Sequence, residues 1–301
     1  MQTFLAMTKR NIKIFFKDKG MLFTSLITPL ILLVLYATFL GNVYKDSFMS
    51  NMPENFSASE GLINGVVGGQ LVSSLMAVTC VTVAFCANML MVQDKVSGAK
   101  NDLYITPAKK STLALSYYVA TLTTTIIVAL IGAIACFGYL AVVGWYINFG
   151  DILLILLDIV ILTMFGTALS SLINMFLSTQ GQISAVGTIV SVSYGFLCGA
   201  YMPISQFGAG LRNILVFMPG TYGTSLLKNH ALRGVCEEMT RQSFPTEVIE
   251  GIKDSVDCNI YFFGTKVSTG AMYVIMVATV AIILGVYILL NVLRAKKHKK
   301  W

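Results

Sequence analysis

Charged side chains are scarce in this sequence. Only 12% of its 301 residues are Asp, Glu, Lys or Arg, about half of the roughly 25% that a soluble domain carries. Apolar residues make up 56% of the chain, and the mean hydropathy is +0.76. Because a bilayer core of about 30 Å is crossed by about 20 apolar helical residues, the long charge-poor segments exclude a soluble domain. They predict an α-helical membrane protein that crosses the bilayer several times.

The sequence also lacks the motifs of an enzyme or a metal site. It contains no G-x-x-x-x-G-K-[ST] phosphate loop, so it does not hold ATP in the way that such a loop does. Its two histidines, His230 and His298, are not near a nucleophile motif, and no Cys/His pattern has the spacing of a zinc site. We therefore expect no catalytic residue, no bound metal and no bound cofactor in this chain.

The net charge of +7 is distributed unevenly along the chain. Segments 1–20, 93–112 and 294–301 carry +4, +2 and +5, whereas 41–65 carries −2 and 203–270 is neutral. Lys and Arg accumulate in the cytoplasmic segments of membrane proteins. The charge therefore predicts the topology, with both termini and the 93–112 loop in the cytoplasm, and it does not indicate a nucleic-acid partner.

Apolar runs bounded by polar, Gly or Pro residues predict six transmembrane helices. Their predicted bounds are 21–40, 66–92, 113–143, 152–177, 183–201 and 271–293. An even number of spans places both termini on the same side, in agreement with the charge. The prediction is thus an all-α, multi-pass protein of the cell membrane, with a single transmembrane domain over residues 1–301.

A helix of a different kind is predicted for residues 1–20. Lys9, Lys13 and Lys17 recur every fourth residue, while apolar side chains such as Phe15 fall largely on the other side. A basic face opposite an apolar face is typical of an amphipathic helix that lies in the membrane interface and contacts lipid. The alternative is a positively charged flank whose only role is to orient the first span.

The segment 202–270, before the last span, is the longest polar region. Its first part, 203–227, contains two prolines and several glycines, which predicts short re-entrant helices that dip into the outer leaflet. Its second part, 229–266, is hydrophilic and predicts a small extracellular cap. Cys236 and Cys258 both lie in this cap, where the compartment is oxidising, so a disulfide between them and two unpaired thiols both remain open.

A few polar and aromatic residues inside the predicted spans are candidates for a transport pathway. Asp158 lies well within the fourth span, and ionisable groups inside a membrane often belong to ion or proton pathways. The alternative is that Asp158 faces another helix or a water-filled cavity. Tyr194, Phe196 and Tyr201 lie near the outer end of the fifth span, as pathway residues or as interfacial aromatics.

The basic loop 93–112 contains a candidate docking site for a partner protein. Asp94 and Lys95 begin the loop, and Leu103 and Tyr104 form an apolar side between charged flanks. A short helix with an apolar side and a polar rim suits a docking contact. Because the chain has no ATP site and little sign of ion coupling, a partner would have to supply the energy for any transport.

Two segments together resemble the type-2 ABC transporter permease family (ABC-2). In its loop this family carries an acidic or charged residue, a Gly, a Leu and a Thr-Pro pair, which correspond here to Asp94, Gly98, Leu103 and Thr106-Pro107. One departure is that the usual glutamate is replaced by the shorter Asp94.

The second segment that carries the resemblance follows the fifth predicted span. It runs from Gly199 through Pro203 and a Pro-Gly-Thr-Tyr sequence at 219–222 to Lys228. It is similar to the stretch that joins the family's fifth span to its outer re-entrant helices. The order of the elements also matches the family over nearly the whole chain.

The resemblance implies that this chain is a transport subunit without its own ATPase site. A separate ABC ATPase subunit would bind ATP and Mg²⁺ and would contact the N-terminal helix and the loop, which would act as a coupling helix. Two permease chains, identical copies or paralogues, would face each other with the second and fifth spans near the pathway. The coupling residues would be Asp94, Lys95, Gly98, Leu103, Tyr104, Thr106 and Pro107.

The expected activity is the export of an amphipathic substrate, a drug or an antimicrobial peptide. The alternatives are an exporter of a lipid-linked glycan or a lipid, an ion-coupled carrier or channel, and a membrane scaffold or sensor without transport.

Overall fold

The structure is a computed structural model, and it describes most of the chain. The described residues are 2–35, 38–39, 41–42, 45, 59–99, 102–103 and 108–297, without the side chains of 28, 32 and 294–297. The first described helices are α1 (Gln2–Lys17), α2 (Lys19–Leu35), α3 (Glu60–Ala87), α4 (Met89–Val96) and α5 (Lys110–Val143).

The second half of the chain continues the helical bundle and adds a small subdomain at one end of it, formed by residues 229–266. We call it the outer subdomain after the extracellular position that the sequence predicts for it. The helices of the second half are α6 (Phe149–Asn174), α7 (Gln180–Leu197), α8 (Ala209–Leu215), α9 (Pro219–Arg241), α10 (Thr246–Ser255) and α11 (Thr269–Lys297). A 3₁₀ turn, Ile204–Gln206, precedes α8. An antiparallel hairpin of β1 (Tyr261–Phe262) and β2 (Thr265–Lys266) precedes α11. No sequence pattern predicted this hairpin.

Long apolar helices confirm that this is a membrane protein. Among the described residues, four helical segments are long and apolar enough to cross a bilayer: Glu60–Val96, Lys110–Val143, Phe149–Asn174 and Thr269–Leu293. The bent pair α1 and α2, with an angle of 73° between them, would make a fifth if it were one span. These segments cover the predicted second, third, fourth and sixth spans.

The other two predicted spans are not confirmed. The predicted span 183–201 falls on α7, which is not among the helices that satisfy length and hydropathy together. The predicted span 21–40 falls on α2, and part of its end lies outside the described residues. The count of six therefore stays a prediction, as does the position of α1 in the membrane interface.

Side-chain caps determine where several helices begin. Asp18 separates α1 from α2, and its carboxylate accepts a hydrogen bond from the Met21 N–H at 3.1 Å. At the start of α7, the Gln182 N–H donates to Thr179 Oγ1, and Gln182 Oε1 accepts from the Thr179 N–H. These reciprocal bonds satisfy N–H groups that have no partner within the helix, so the chain turns at defined residues.

Helix α3 is the centre of the bundle. In the most apolar 18-residue stretch of the span that contains α3, 89% of the residues are buried. The buried shares of the corresponding stretches are 28% in α5 and 17% in α11. Helix α3 packs against α2, α5, α6, α7 and α9. Most residues of α5 and α11 are partly or fully exposed, as expected of helices that face lipid.

Glycines allow three segments to pack closely together. These are the N-terminal half of α3, the facing part of α9 and the connection between α5 and α6. A methyl group added at Gly65 would lie 2.6 Å from the Tyr146 ring, and one added at Gly69 would lie 2.7 Å from Leu232. On α9, a methyl group at Gly234 would overlap the carbonyl oxygen of Tyr146. Backbone cannot yield as a flexible side chain can, so Gly234 fixes how closely α9 approaches this connection.

We predict that Gly234→Ala destabilises the protein by about 1–3 kcal/mol, the usual cost of overpacking. The measurement is thermal unfolding in detergent micelles, followed by the emission of Trp145, which directly precedes Tyr146. Gly150→Ala is the matched control, because nothing lies within 4 Å of its added methyl group. Equal unfolding midpoints for the two variants would contradict the close contact.

Candidate functional site

Asp94 joins the beginning of the predicted coupling loop to two other helices. It lies on α4 and is only 4% exposed. Its carboxylate accepts two hydrogen bonds from the Arg10 guanidinium, at 2.6 and 3.0 Å, and a third from the Tyr117 hydroxyl at 2.5 Å. Because a bidentate pair fixes orientation as well as distance, Asp94 connects α4 with α1 and α5.

Lys95, the next residue, connects α4 to the end of α6. Its ammonium group donates to the carbonyl oxygens of Asn174, Met175 and Leu177 at 3.1, 2.9 and 2.9 Å. The last carbonyls of a helix have no partner within the helix and carry its partial negative charge. Lys95 satisfies them, so the two predicted coupling residues fasten α4 to three different helices.

The break between α3 and α4 is fastened to α6 as well. It occurs at Asn88, which is 1% exposed. The Asn88 side-chain amide donates to the hydroxyl groups of Ser170 and Ser171 at 3.1 and 3.0 Å. Helix α4 is thus bonded to α6 at its beginning through Asn88 and near its end through Lys95. It therefore cannot shift without a shift of α6.

The loop that follows α4 is described only in part. Gly98 has a φ of +83°, a conformation that favours glycine, and it ends the helix. Val96 is 55% exposed. Leu103 is half-buried against an apolar cluster that includes Phe15.

Three further predicted coupling residues, Tyr104, Thr106 and Pro107, lie outside the described residues.

The candidate pathway residue Asp158 is enclosed by partners. Its side chain is 1% exposed, and His230 Nδ1 lies 2.6 Å from Asp158 Oδ2. The Tyr273 hydroxyl donates to the other carboxylate oxygen at 2.5 Å, and its ring stacks on His230. Asp158 therefore links α6, α9 and α11. This arrangement agrees with the alternative that it faces other helices.

The three candidate aromatic residues have different environments. Tyr194 is buried, and its hydroxyl bonds to Gly220 O and Thr224 Oγ1 at 3.3 and 3.0 Å, which ties α7 to α9. Phe196 is 46% exposed and meets Tyr201 edge-on at 5.2 Å. Phe196 and Tyr201 thus form an aromatic pair at the C-terminal end of α7, whereas Tyr194 is part of the packed interior.

A buried ion pair holds the turn that follows α7. Lys228 is 0% exposed, and its ammonium group donates to Gly199 O at 2.7 Å and lies 3.5 Å from the Asp257 carboxylate. That carboxylate also accepts hydrogen bonds from the N–H groups of Ile204 and Ser205 at 2.5 and 3.0 Å. A buried charge needs such compensation. Here the ion pair and its hydrogen bonds join the turn to α9, through Lys228, and to the residues after α10, through Asp257.

The outer subdomain is held by a surface network around Glu250. Lys266 donates to Glu250 at 2.8 Å and Lys253 at 3.1 Å, and Asn259 adds a further hydrogen bond. The Lys266 hydrogen bond, together with Lys253 and Asn259, lowers the pKa of Glu250 to about 2. The network joins α10 to the base of the hairpin.

Cys236 and Cys258 lie in one apolar cluster of this outer subdomain. Both are buried free thiols, and both line a cavity of about 400 Å³ between α9 and α10. The part of the chain that the structure describes contains no group of three or more His, Cys, Asp or Glu residues placed to hold a metal ion.

The roles of several of these residues do not show in the sequence. With about 3.6 residues per turn, Arg10 projects from α1 in nearly the same direction as Lys17, so nothing local distinguishes it from the other basic residues. Tyr117, His230, Lys228 and Asp257 carry no pattern that points to their partners. They are 23 to 72 residues away in the chain from the groups that they bond.

A bundle of long apolar helices with paired charges between them defines an integral membrane protein of the helical-bundle class. Residues 2–229 match the model of the ABC-2 type transporter family, and the chain belongs to that family. It is accordingly a permease component of an ABC transporter, a type of subunit that works in general with an ABC ATPase partner. The match to the family confirms the resemblance stated above. Neither the curated proteins nor the solved structures contain a match.

We predict that Arg10 and Asp94 are coupled energetically by about 1–3 kcal/mol. The measurement is a double-mutant cycle with Arg10→Gln and Asp94→Asn, using unfolding in mixed detergent micelles. The exposed pair Arg241 and Glu238, 3.5 Å apart, is the control and should give a coupling near zero. Additive effects of the Arg10 and Asp94 variants would mean that the bidentate contact contributes nothing.

The structure has Cys236 and Cys258 as free thiols, so the disulfide between them stays a prediction. In protein purified without reductant, we expect a peptide map to contain the two cap cysteines in one linked pair, because both thiols lie in the same cluster of the outer subdomain. Cys236→Ala should leave Cys258 open to alkylation in the unfolded chain. Two alkylatable cap thiols in the unreduced, unfolded protein would disprove the pairing.

Proposed function

We propose that this chain is the permease subunit of an ATP-driven exporter of an amphipathic substrate, a drug or an antimicrobial peptide. A separate ABC ATPase subunit would bind ATP and Mg²⁺. The observation that carries the proposal is the set of bonds at Asp94 and Lys95. They fasten the helix before the loop to α1, α5 and α6, so a movement of the loop would be transmitted to the transmembrane bundle.

The proposed topology has six spans and cytoplasmic termini. Helix α7 contains 18 residues, which corresponds to about 27 Å and is close to the thickness of the hydrocarbon core. With α7 as the fifth span and α2 as the first, the basic termini and the 93–112 loop lie on one side. That side is the cytoplasm by the positive-inside rule.

The exposed side of α7 supports a second permease chain and the location of the pathway. Gln182, Ser184 and Thr188 are exposed, and so are Val192 and Phe196 towards the outer end. Small and polar residues favour close helix contacts in lipid, so a second copy or a paralogue facing this side would be stable.

The change from polar to apolar residues along α7 also suits an amphipathic substrate. Helix α3, by contrast, is enclosed by helices of its own chain, so in this conformation the predicted second span presents little surface to a partner.

The other candidate functions have less support. An ion-coupled carrier would need an accessible relay of ionisable groups, whereas both carboxylate oxygens of Asp158 are engaged by His230 and Tyr273. An exporter of a lipid-linked glycan or a lipid is the remaining alternative. It has the same proposed ATPase contact and differs only in what passes along α7.

We predict that Val96→Asp weakens binding of the ATPase subunit at least tenfold, because it places a charge on an exposed apolar residue at the proposed contact. The measurement is copurification of the ATPase from membranes, together with ATP turnover of the complex. Leu103→Asp should also uncouple ATP turnover from export. Gly251→Asp on the outer helix α10, where the added side chain meets open space, is the matched control.

Unchanged ATPase binding and full export for both Val96→Asp and Leu103→Asp would show that the docking surface lies elsewhere. If Leu103→Asp alone loses activity and also lowers the unfolding midpoint, its effect is on the packing against Phe15 and not on docking.

A further inference from the structure

Three phenylalanine rings form an exposed cluster at the outer subdomain. Phe217 follows α8, and Phe262 and Phe263 lie in the hairpin. Their ring centroids are 5.0 to 6.0 Å apart, and every pair meets edge-on. Phe217 and Phe263 are 61% and 65% exposed, and the neighbouring α8 exposes Leu211 and Ile214. A contiguous apolar surface of this kind indicates a contact with another apolar phase or molecule.

The hairpin turn contains a residue that local conformation disfavours. Phe263 and Gly264 connect the two strands, and both have positive φ values, +47° and +86°. A two-residue turn with two positive φ values strongly prefers Asn, Asp or Gly at its first position, and a bulky residue there is uncommon. Phe263 nevertheless occupies this position and exposes its ring. Because neither the turn nor the packing of the hairpin requires a phenylalanine here, we expect its side chain to contact something outside the hairpin.

The position of the hairpin along the chain places its tip close to the membrane. At its base the Val267 N–H donates to Ile260 O at 2.8 Å. Ile260 belongs to the same buried cluster as Leu215 and as Met272, which lies in the first turn of the membrane-spanning helix α11. The base of the hairpin is therefore part of the outer end of the transmembrane bundle.

The tip lies at the depth of the lipid headgroups. Two strand residues beyond the base extend roughly 7 Å. The polar zone of one leaflet is about 5–8 Å thick, since a bilayer of about 40–45 Å has a core of about 30 Å. The rings therefore stay within about one headgroup layer of the start of α11, in the region where aromatic side chains concentrate.

The groups that flank the rings fit a lipid surface. Tyr261 precedes Phe262 in the hairpin, and Lys266 ends it, with 49% of its side chain exposed. Arg212 is exposed on α8. The Tyr261 hydroxyl donates to Asp254 and the Lys266 ammonium group to Glu250. Of these groups, Arg212 is therefore the one whose polar end is placed to reach a lipid phosphate, with its apolar part along the acyl boundary.

We infer that Phe217, Phe262 and Phe263 form an aromatic anchor that inserts into the membrane leaflet adjacent to the outer subdomain. The anchor holds the segment between α7 and α11 against the bilayer from two places, the end of α8 and the tip of the hairpin. The inference rests on the membrane position of α11 and not on the export function, so it can stand if the proposed function fails.

The test places a tryptophan in the anchor and measures its quenching by brominated lipids. In a background with Trp145→Phe and Trp301→Phe, Phe263→Trp is reconstituted into phosphatidylcholine nanodiscs with bromines near the headgroup or deep in the acyl chains. We expect shallow bromines to remove roughly half of the emission, since interfacial rings lie near them, and deep bromines to remove less. Ile282→Trp, exposed in the middle of α11, should show the opposite order.

Phe244→Trp is the matched control on the same subdomain, because Phe244 is only 8% exposed and should respond to neither lipid. Phe217→Trp repeats the test on the second segment of the anchor, in case the hairpin does not tolerate a tryptophan. Quenching of both anchor probes by aqueous acrylamide and not by bromines would overturn the inference. Protection from both quenchers would also overturn it and would indicate that a second copy of the chain covers the rings.

Discussion

An ionised carboxylate inside a low-dielectric helix bundle must meet donors that compensate the loss of its hydration. In this permease three buried carboxylates satisfy that requirement with groups from different elements. Asp94 does so with α1 and α5, Asp158 with α9 and α11, and Asp257 with Lys228 and the turn after α7. Because the donors lie on separate helices, each compensated charge also determines how those helices are placed. The arrangement of the bundle depends on these polar junctions as well as on apolar packing.

The three junctions are distributed along the bundle and restrict different movements. The junction at Asp94 lies at the loop where the ATPase is proposed to bind, and the junction at Asp257 holds the turn at the other end of α7. Apolar side chains can slide past one another at low cost, whereas a bidentate ion pair or a buried lysine cannot be separated without exposing a charge to hydrocarbon. Movements during transport are therefore expected to preserve these groups and to occur between them, along the exposed side of α7.

Much of the architecture was predictable from local patterns, and the reasons differ from one element to the next. The spans of α3, α5, α6 and α11 follow from the length of their apolar runs, which is a property of consecutive residues. Helix α7 was predicted as a span and satisfies length and hydropathy less well, because Gln, Ser, Thr and Gly residues lower its hydropathy. The hairpin was missed because Phe263 stands at a turn position where the usual signal is Asn or Asp.

The class of the protein, its basic segments and the residues of its loop motif follow from the sequence, because hydropathy, charge and spacing do not depend on distant parts of the chain. The partners of Asp94 and Asp158 do not follow from it. Arg10 is 84 residues from Asp94, and Tyr273 is 115 residues from Asp158. Such pairs form only when helices rotate and cross at particular angles, and a helix such as α3, which is apolar on all sides, carries no periodicity that specifies its rotation. Only the packing of the whole bundle decides these contacts, and with them which polar residues join helices and which face a pathway.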